Sequence, residues 1–210
     1  MPSSSFEIRV CQSCGLRYPL TERHPFGIRC PHCLGETRVA LKKIGDEGEE
    51  SKKMDVRSKE TRAVLLDNIR SAWNVGSILR SADGFGFSHA YLCGITPTPD
   101  VSAVRKTALG AEEYVTWSHH KDSVSLVNGL KLEGWKVGAL EEDQRANPIS
   151  KFIASQTSNP FVLILGSEVT GVDPELLDLA DHIFYIPMYG RKRSFNVANA
   201  FSIAAYALNG

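Results

Sequence analysis

At 210 residues, 42% of them hydrophobic, the chain holds enough apolar material for one sizeable core and an appendage, which excludes a disordered tail. Lys plus Arg and Asp plus Glu each number 24, so net charge draws no polyanion and any nucleic-acid surface has to be a local patch. The opening MPSSSFEIRV lacks an apolar signal core, and no uninterrupted apolar run approaches the roughly 18 residues that span a bilayer, so a cytoplasmic protein with no membrane partner is expected.

Residues 1–43 read as a small cysteine domain, with short strands near Phe6 to Val10 and Thr37 to Leu41. Cys11, Cys14, Cys30 and Cys33 form C-x2-C, fifteen intervening residues and C-x2-C, a zinc-ribbon spacing in which two knuckles aim four thiolates at one tetrahedral ion. Four thiolates leave no open position, so the Zn2+ is expected to be structural; iron is chemically possible at such a site. A disulfide pairing fits poorly with a chain that lacks an export signal. The segment from 6 to 43 carries an excess of four positive charges, with Tyr18 and Phe26 interleaved. Such a surface grips RNA in some proteins and is a solvated face in others. Residues 44–60, IGDEGEESKKMDVRSKE, are polar and charged in both signs, as in a linker.

From 61 to 210 strand and helix patterns alternate, which specifies an α/β domain with a mainly parallel sheet and helices on both faces. Thr61 to Leu66 reads as its first strand. In the loop that follows, Asn74 is placed to cap a helix and Gly76 to allow close approach of an anion at its start, with Arg80 inside the helix. Strands follow at His89 to Ile95, Tyr114 to Trp117 and Lys136 to Ala139, with helices at Val101 to Ala108 and near Asp122 to Leu132. Gly84-Phe85-Gly86 follows a helix rather than a strand and is no dinucleotide fingerprint. Cys93, inside an apolar strand, reads as a buried small hydrophobe.

The densest chemistry lies between Phe161 and Ala205. Two apolar runs, Phe161 to Leu165 and His182 to Ile186, stop abruptly at Gly166-Ser167-Glu168 and at Pro187-Met188-Tyr189-Gly190, as buried parallel strands do at a site. Asp173-Pro174 with Glu175 reads as a helix start. Gly166 removes a side chain where a ligand would approach the backbone, and Glu168 offers a carboxylate beside it. Arg191-Lys192-Arg193 precedes Ser194 and Asn196, either of which can cap the apolar helix from Val197 onward.

These residues resemble the SpoU/TrmH branch of the SPOUT RNA 2'-O-ribose methyltransferases. Asn74, Gly76, Ile78 and Arg80 match its first signature; Gly166-Ser167-Glu168, Gly171, Pro174 and Ile186-Pro187-Met188 its second; Gly190 and Ser194-Phe195-Asn196-Val197 its third, with Phe195 in place of the usual Leu. The loop Thr107 to Glu112 also resembles the family's, which draws Lys106 in as an RNA contact. The resemblance implies a C-terminal trefoil knot, a homodimer whose site spans two subunits, and transfer of a methyl group from S-adenosylmethionine to a ribose 2'-hydroxyl of tRNA or rRNA. It implies cofactor contacts from Ala139, Leu140, Glu141, Gly166, Ile186, Met188, Phe195 and Val197, and catalytic roles for Arg80, Asn74, Glu168, Ser194 and Asn196. A guanidinium is a poor general base, so Arg80 is expected to clamp the phosphate and stabilise the developing alkoxide, with Glu168 orienting Arg80 or Asn74. The alternative is a catalytically silent RNA-binding or assembly protein built on the same domain.

Overall fold

Two compact units, Met1–Asp55 and Val56–Gly210, make up the chain. The structure, a computed structural model, describes residues 6–21, 28–43, 61–151 and 160–209. The charged segment 44–60, read above as a linker, lies outside the described residues.

The first unit is a three-stranded antiparallel sheet in the order β2-β1-β3, with β1 at Phe6–Cys11, β2 at Arg17–Thr21 and β3 at Thr37–Lys43. Strand β2 was not expected, because Pro19 interrupts it; at a sheet edge the missing N–H costs no ladder bond. A bulge between Ile8 and Arg9 offsets the pairing of β1 with β3. Leu20, Cys11 and Cys30 form the small buried interior. Arg9 is buried with them, its guanidinium held by Glu7 at 2.6 Å and by the Thr37 hydroxyl at 2.8 Å.

The second unit is built on a seven-stranded sheet, β6-β5-β4-β9-β7-β10-β8, in which every paired neighbour is parallel. The strands are β4 Arg62–Asp67, β5 His89–Cys93, β6 Thr116–His120, β7 Lys136–Leu140, β8 Asn147–Pro148, β9 Phe161–Leu165 and β10 His182–Tyr185. Strand β6 begins later than the sequence reading placed it, because Ala111–Glu113 closes a 3-10 turn first. In β4 and β9 all residues are buried, and alternate ones serve opposite faces. Val64, Leu66, Leu163 and Leu165 join one core, together with helices α1 (Ala72–Gly84), α2 (Ser102–Ala108) and α5 (Val197–Asn209). Ala63, Leu65, Val162 and Ile164 join the other, under α3 (Ser123–Leu132) and α4 (Pro174–Leu179). The fold is therefore α/β with a parallel sheet covered on both faces.

Two details of α1 depart from the sequence reading. Its N-cap is Ser71, whose hydroxyl accepts the Asn74 N–H, so Asn74 sits in the first turn with its side chain free for other work. Gly76 does not face an anion: a Cβ there would lie 2.2 Å from the Val104 carbonyl oxygen and 2.0 Å from the Thr107 hydroxyl, because α2 packs directly on α1. Gly129 in α3 has no neighbour within 4 Å of a would-be Cβ. The two glycines are therefore expected to respond oppositely to alanine. Gly129→Ala gains about 0.5–1 kcal/mol from helix propensity, whereas Gly76→Ala loses about 1–3 kcal/mol through overpacking. Urea midpoints at equal m-values measure both, and a Gly76→Ala protein as stable as the wild type would disprove the close helix contact.

Candidate functional site

In the first unit each C-x2-C pair forms one turn. Cys11 accepts the Gly15 N–H on its carbonyl and the Cys14 N–H on its sulfur, and Cys30 accepts the Leu34 N–H on its carbonyl. The residue after each second cysteine, Gly15 or Leu34, adopts positive φ and turns the chain so that both thiols point inward. The four Sγ atoms lie within 4.8 Å of one another, with Cys11 to Cys33 at 3.5 Å and Cys14 to Cys30 at 3.7 Å. All four are free thiols. A metal–sulfur bond of about 2.3 Å in tetrahedral geometry puts sulfurs about 3.8 Å apart, so the cluster fits a metal ion and its donors are those of a closed structural centre.

In the second unit a cleft of about 890 Å³ opens at the C-terminal ends of β7, β9 and β10, where ligands bind in open parallel sheets. Its walls include Leu140, Glu141, Gly166, Ile186, Met188, Phe195 and Val197, seven of the eight residues that the resemblance assigns to the cofactor. Ala139 is fully buried in the core on the α3–α4 side and does not reach the cleft. Glu141 lines the cleft, but its carboxylate is committed: one oxygen accepts the Val172 N–H and the other the Glu142 N–H, both at 2.9 Å. Gly166 is required by the protein itself, since a Cβ would stand 2.1 Å from the backbone of Gly171 and Val172. The 166–172 loop folds back on strand β9, closed by the Gly171 N–H on the Ser167 carbonyl. Gly190 faces open space.

Three distant segments meet at the rim. Glu168 accepts the Arg70 N–H at 3.0 Å, the Ser71 N–H at 3.3 Å and the Asn74 amide at 2.8 Å. Partial burial opposes its charge, but these donors outweigh burial and hold the carboxyl below the usual glutamate range. The Asn74 side-chain oxygen in turn accepts the Asn196 amide at 3.0 Å, and Asn196 caps α5 by accepting the Ala198 N–H on its own side-chain oxygen. Asn74 thus bridges Glu168 and Asn196, donating to one and accepting from the other. Of the two residues proposed to cap α5, Asn196 does so; Ser194 is exposed on the cleft wall.

Arg80 lies on the exposed side of α1, outside the cleft walls, and makes no hydrogen bond or ion pair among the described residues. Glu168 therefore orients Asn74 and not Arg80. Arg191, Lys192 and Arg193 do line the cleft. The signal for them was present in the sequence as a cationic run directly before a helix cap. Asp67, at the end of β4, is a buried carboxylate that accepts the Ser123 hydroxyl at 2.9 Å and the Asn68 amide at 3.0 Å; burial, with the charge of Asp173, pushes its pKa up. No periodicity marks that residue out.

Comparison with known proteins places this geometry. Residues 61–206 match the family described as the SpoU rRNA Methylase family. The chain is 32% identical over 149 residues to the 23S rRNA (guanosine(2553)-2'-O)-methyltransferase RlmP of Bacillus subtilis, covering 71% of this chain and 58% of that protein. It is 32% identical over 145 residues to the tRNA (guanosine(18)-2'-O)-methyltransferase of Thermus thermophilus, covering 68% of this chain and 71% of that one. The chain thus spans less than two thirds of the Bacillus protein's length. Among solved structures, the AdoMet-bound rRNA methyltransferase from Sinorhizobium meliloti superposes with a TM-score of 0.66 at 26% identity, over 71% of this chain and 56% of that one. With its sheet, its cleft and the match over residues 61–206, this chain belongs to the SpoU methylase family.

Proposed function

We propose that the chain is an S-adenosylmethionine-dependent methyltransferase that modifies a ribose 2'-hydroxyl in tRNA or rRNA, working in the cytoplasm as a homodimer. The observation that carries this reading is the meeting of Asn74, Glu168 and Asn196 at the rim of the cleft, which joins all three signature segments at one point. The relatives named for 2'-O-methylation of rRNA and tRNA, and the AdoMet-bound structural neighbour, support it. The trefoil knot that the resemblance implies belongs to the same proposal.

The cleft fits a nucleoside-sized ligand: its volume lies within the range of about 300–1,000 Å³ typical of small-molecule sites. It combines an apolar floor of Leu140, Leu165, Ile186 and Met188 with cations on its rim. S-adenosylmethionine, when bound there, supplies an electrophilic methyl group. Residues 166–172 shape its wall, and the Glu141 carboxylate holds that loop. Arg191, Lys192 and Arg193 attract the RNA phosphates. Arg80 binds the phosphate next to the target ribose and stabilises negative charge developing on the 2'-oxygen.

Arg80 shares the outward stripe of α1 with Trp73 and Ser77, at helical spacing. Helix α5 runs beside α1, tied by the Ser81–Ser202 hydroxyl pair at 2.9 Å and by Phe85 against Tyr206. It leaves Ile203 and Tyr206 exposed, while Trp73 on α1 is 59% exposed. A dimer through these two helices covers the apolar residues and carries Arg80 toward the partner's cleft, which accounts for its distance from the cleft of its own chain. The cysteine cluster holds Zn2+, chosen by its four soft donors and tetrahedral spacing.

Four outcomes are expected. Methyl transfer from labelled S-adenosylmethionine to total tRNA and, separately, rRNA yields label in one pool, at a nucleotide resistant to alkaline cleavage. Arg80→Ala lowers single-turnover transfer by about 100-fold or more, and an unchanged rate discards its assignment. The Glu168 carboxyl has a lowered pKa in the fold, so its contribution is complete above the ordinary value of 4.5 and is lost as pH falls through the folded value. The wild-type Tm should therefore fall more steeply below about pH 4.5 than that of Glu168→Gln; parallel curves would show that the carboxylate's charge does not hold Arg70, Ser71 and Asn74. Finally, chelation under mild denaturant releases about one Zn2+ per chain and exposes four thiols, while buried Cys93 reacts only on global unfolding. Four freely reactive thiols in metal-free purified protein would contradict the metal centre.

A further inference from the structure

The cysteine unit has a sheet face that neither the metal cluster nor the methyltransferase reading uses. Directly paired residues of adjacent antiparallel strands share a face, and the register of β2, β1 and β3 defines three rows across it. They are Arg17–Val10–Arg38, Pro19–Ile8–Leu41 and Thr21–Phe6–Lys43. The centre is apolar, with Phe6, Ile8 and Val10 partly buried and Leu41 53% exposed. Arg17, Arg38 and Lys43 stand exposed around it. No acid occurs in any of the three rows, and none of these cations pairs with a carboxylate among the described residues. The first unit's sheet acids and metal ligands lie elsewhere: Glu7 is paired with Arg9 on the opposite face, and Cys11 belongs to that face too.

A flat apolar strip with a rim of one sign is poorly matched to an ordinary protein surface, where both signs are mixed. It is well matched to a polyanion whose bases lie flat on apolar side chains while phosphates meet Arg and Lys. We propose that this face of the β2-β1-β3 sheet is an RNA-binding surface, taking a single-stranded or loop segment across Phe6, Ile8 and Leu41 with phosphates on Arg17, Arg38 and Lys43. The proposal rests on the reading of the chain as an RNA methyltransferase only in the choice of RNA over DNA.

The test uses the full-length, metal-loaded chain and filter binding of labelled unfractionated tRNA and of fragmented rRNA over a salt series. The variants are Arg17→Gln/Arg38→Gln/Lys43→Gln, the single Arg38→Gln, and Lys42→Gln, which lies on β3 but on the opposite face. All four positions are exposed, so metal content and Tm should stay at wild-type values. Loss of three phosphate contacts lowers the log–log salt slope by about 2, so the wild type loses about 20-fold more affinity than the triple variant between about 50 and 200 mM salt. Arg38→Gln gives about a third of that change and Lys42→Gln almost none. A wild-type slope in the triple variant, or an equal effect from Lys42→Gln, overturns the proposal. So does wild-type binding of naked RNA by a triple variant that has lost activity only on intact ribonucleoprotein particles, which assigns the face to a protein. Because binding is read separately from methyl transfer, slope loss without any transfer by the wild type would keep this surface and sink the methyltransferase reading, and transfer with unchanged slopes would do the reverse.

Discussion

The carboxylate of Glu168 is the interaction on which the larger unit's site depends. It accepts two backbone N–H groups, from Arg70 and Ser71, and the Asn74 amide, and through Asn74 it reaches Asn196. Backbone donors at the start of a helix prefer a negative partner, and here the partner is internal. Three segments far apart in sequence are thereby joined by the protein's own hydrogen bonds. The arrangement needs a rigid base, and β9 supplies it. Buried on both faces between β4 and β7, it carries Gly166 and then Glu168 out at its C-terminal end.

That base also explains the glycine and the second carboxylate. The loop after β9 doubles back so closely that Gly166 has no room for a Cβ, and Glu141 from the end of β7 ties the far side of the loop through the Val172 N–H. Two neighbouring strand ends thus hold one loop from both sides. A wall of the cleft is defined by backbone, which suits recognition through N–H and C=O groups more than through side-chain charge. The cations needed for a polyanion arrive separately, on the 191–193 segment.

Much of this was legible in the sequence, and the reasons are physical. Doubly buried strands are continuous apolar runs, so β4, β9 and β10 were visible as such, and Asp173-Pro174 announced α4 through its cap chemistry. What escaped were features set by contact rather than by pattern. Ser71 caps α1 in place of Asn74 because Asn74 is drawn into the Glu168–Asn196 bridge, a partnership 94 and 122 residues distant that no local rule contains. Gly76 looked like a ligand contact and is a helix-packing contact, since a glycine's local signature is the same in both roles. Strand β2 was hidden by Pro19, which is acceptable only at an edge, and whether a strand is an edge is decided by its neighbours. The cysteine spacing needed no tertiary knowledge, because C-x2-C sets the turn and the turn sets the sulfur direction.

Equal numbers of acids and bases leave no net charge to draw a polyanion, so any nucleic-acid surface has to be local, and the structure does divide the charges unequally. Several acids are consumed in pairs: Asp143 and Asp178 by Arg145, Asp181 by Lys131 and Lys136, Glu7 by Arg9. Of the carboxylates at the cleft, Glu141 and Glu168 are occupied by N–H groups, whereas that of Glu142 makes no hydrogen bond or ion pair among the described residues. By contrast, Arg191, Lys192 and Arg193 at the cleft, and Arg17, Arg38 and Lys43 on the ribbon, make no ion pair among the described residues. At physiological salt the screening length is about 8 Å, so a phosphate at such a patch responds to the local charges and not to the net charge of the chain. Net neutrality and a polyanionic substrate are therefore compatible where cations stand unpaired on a local surface.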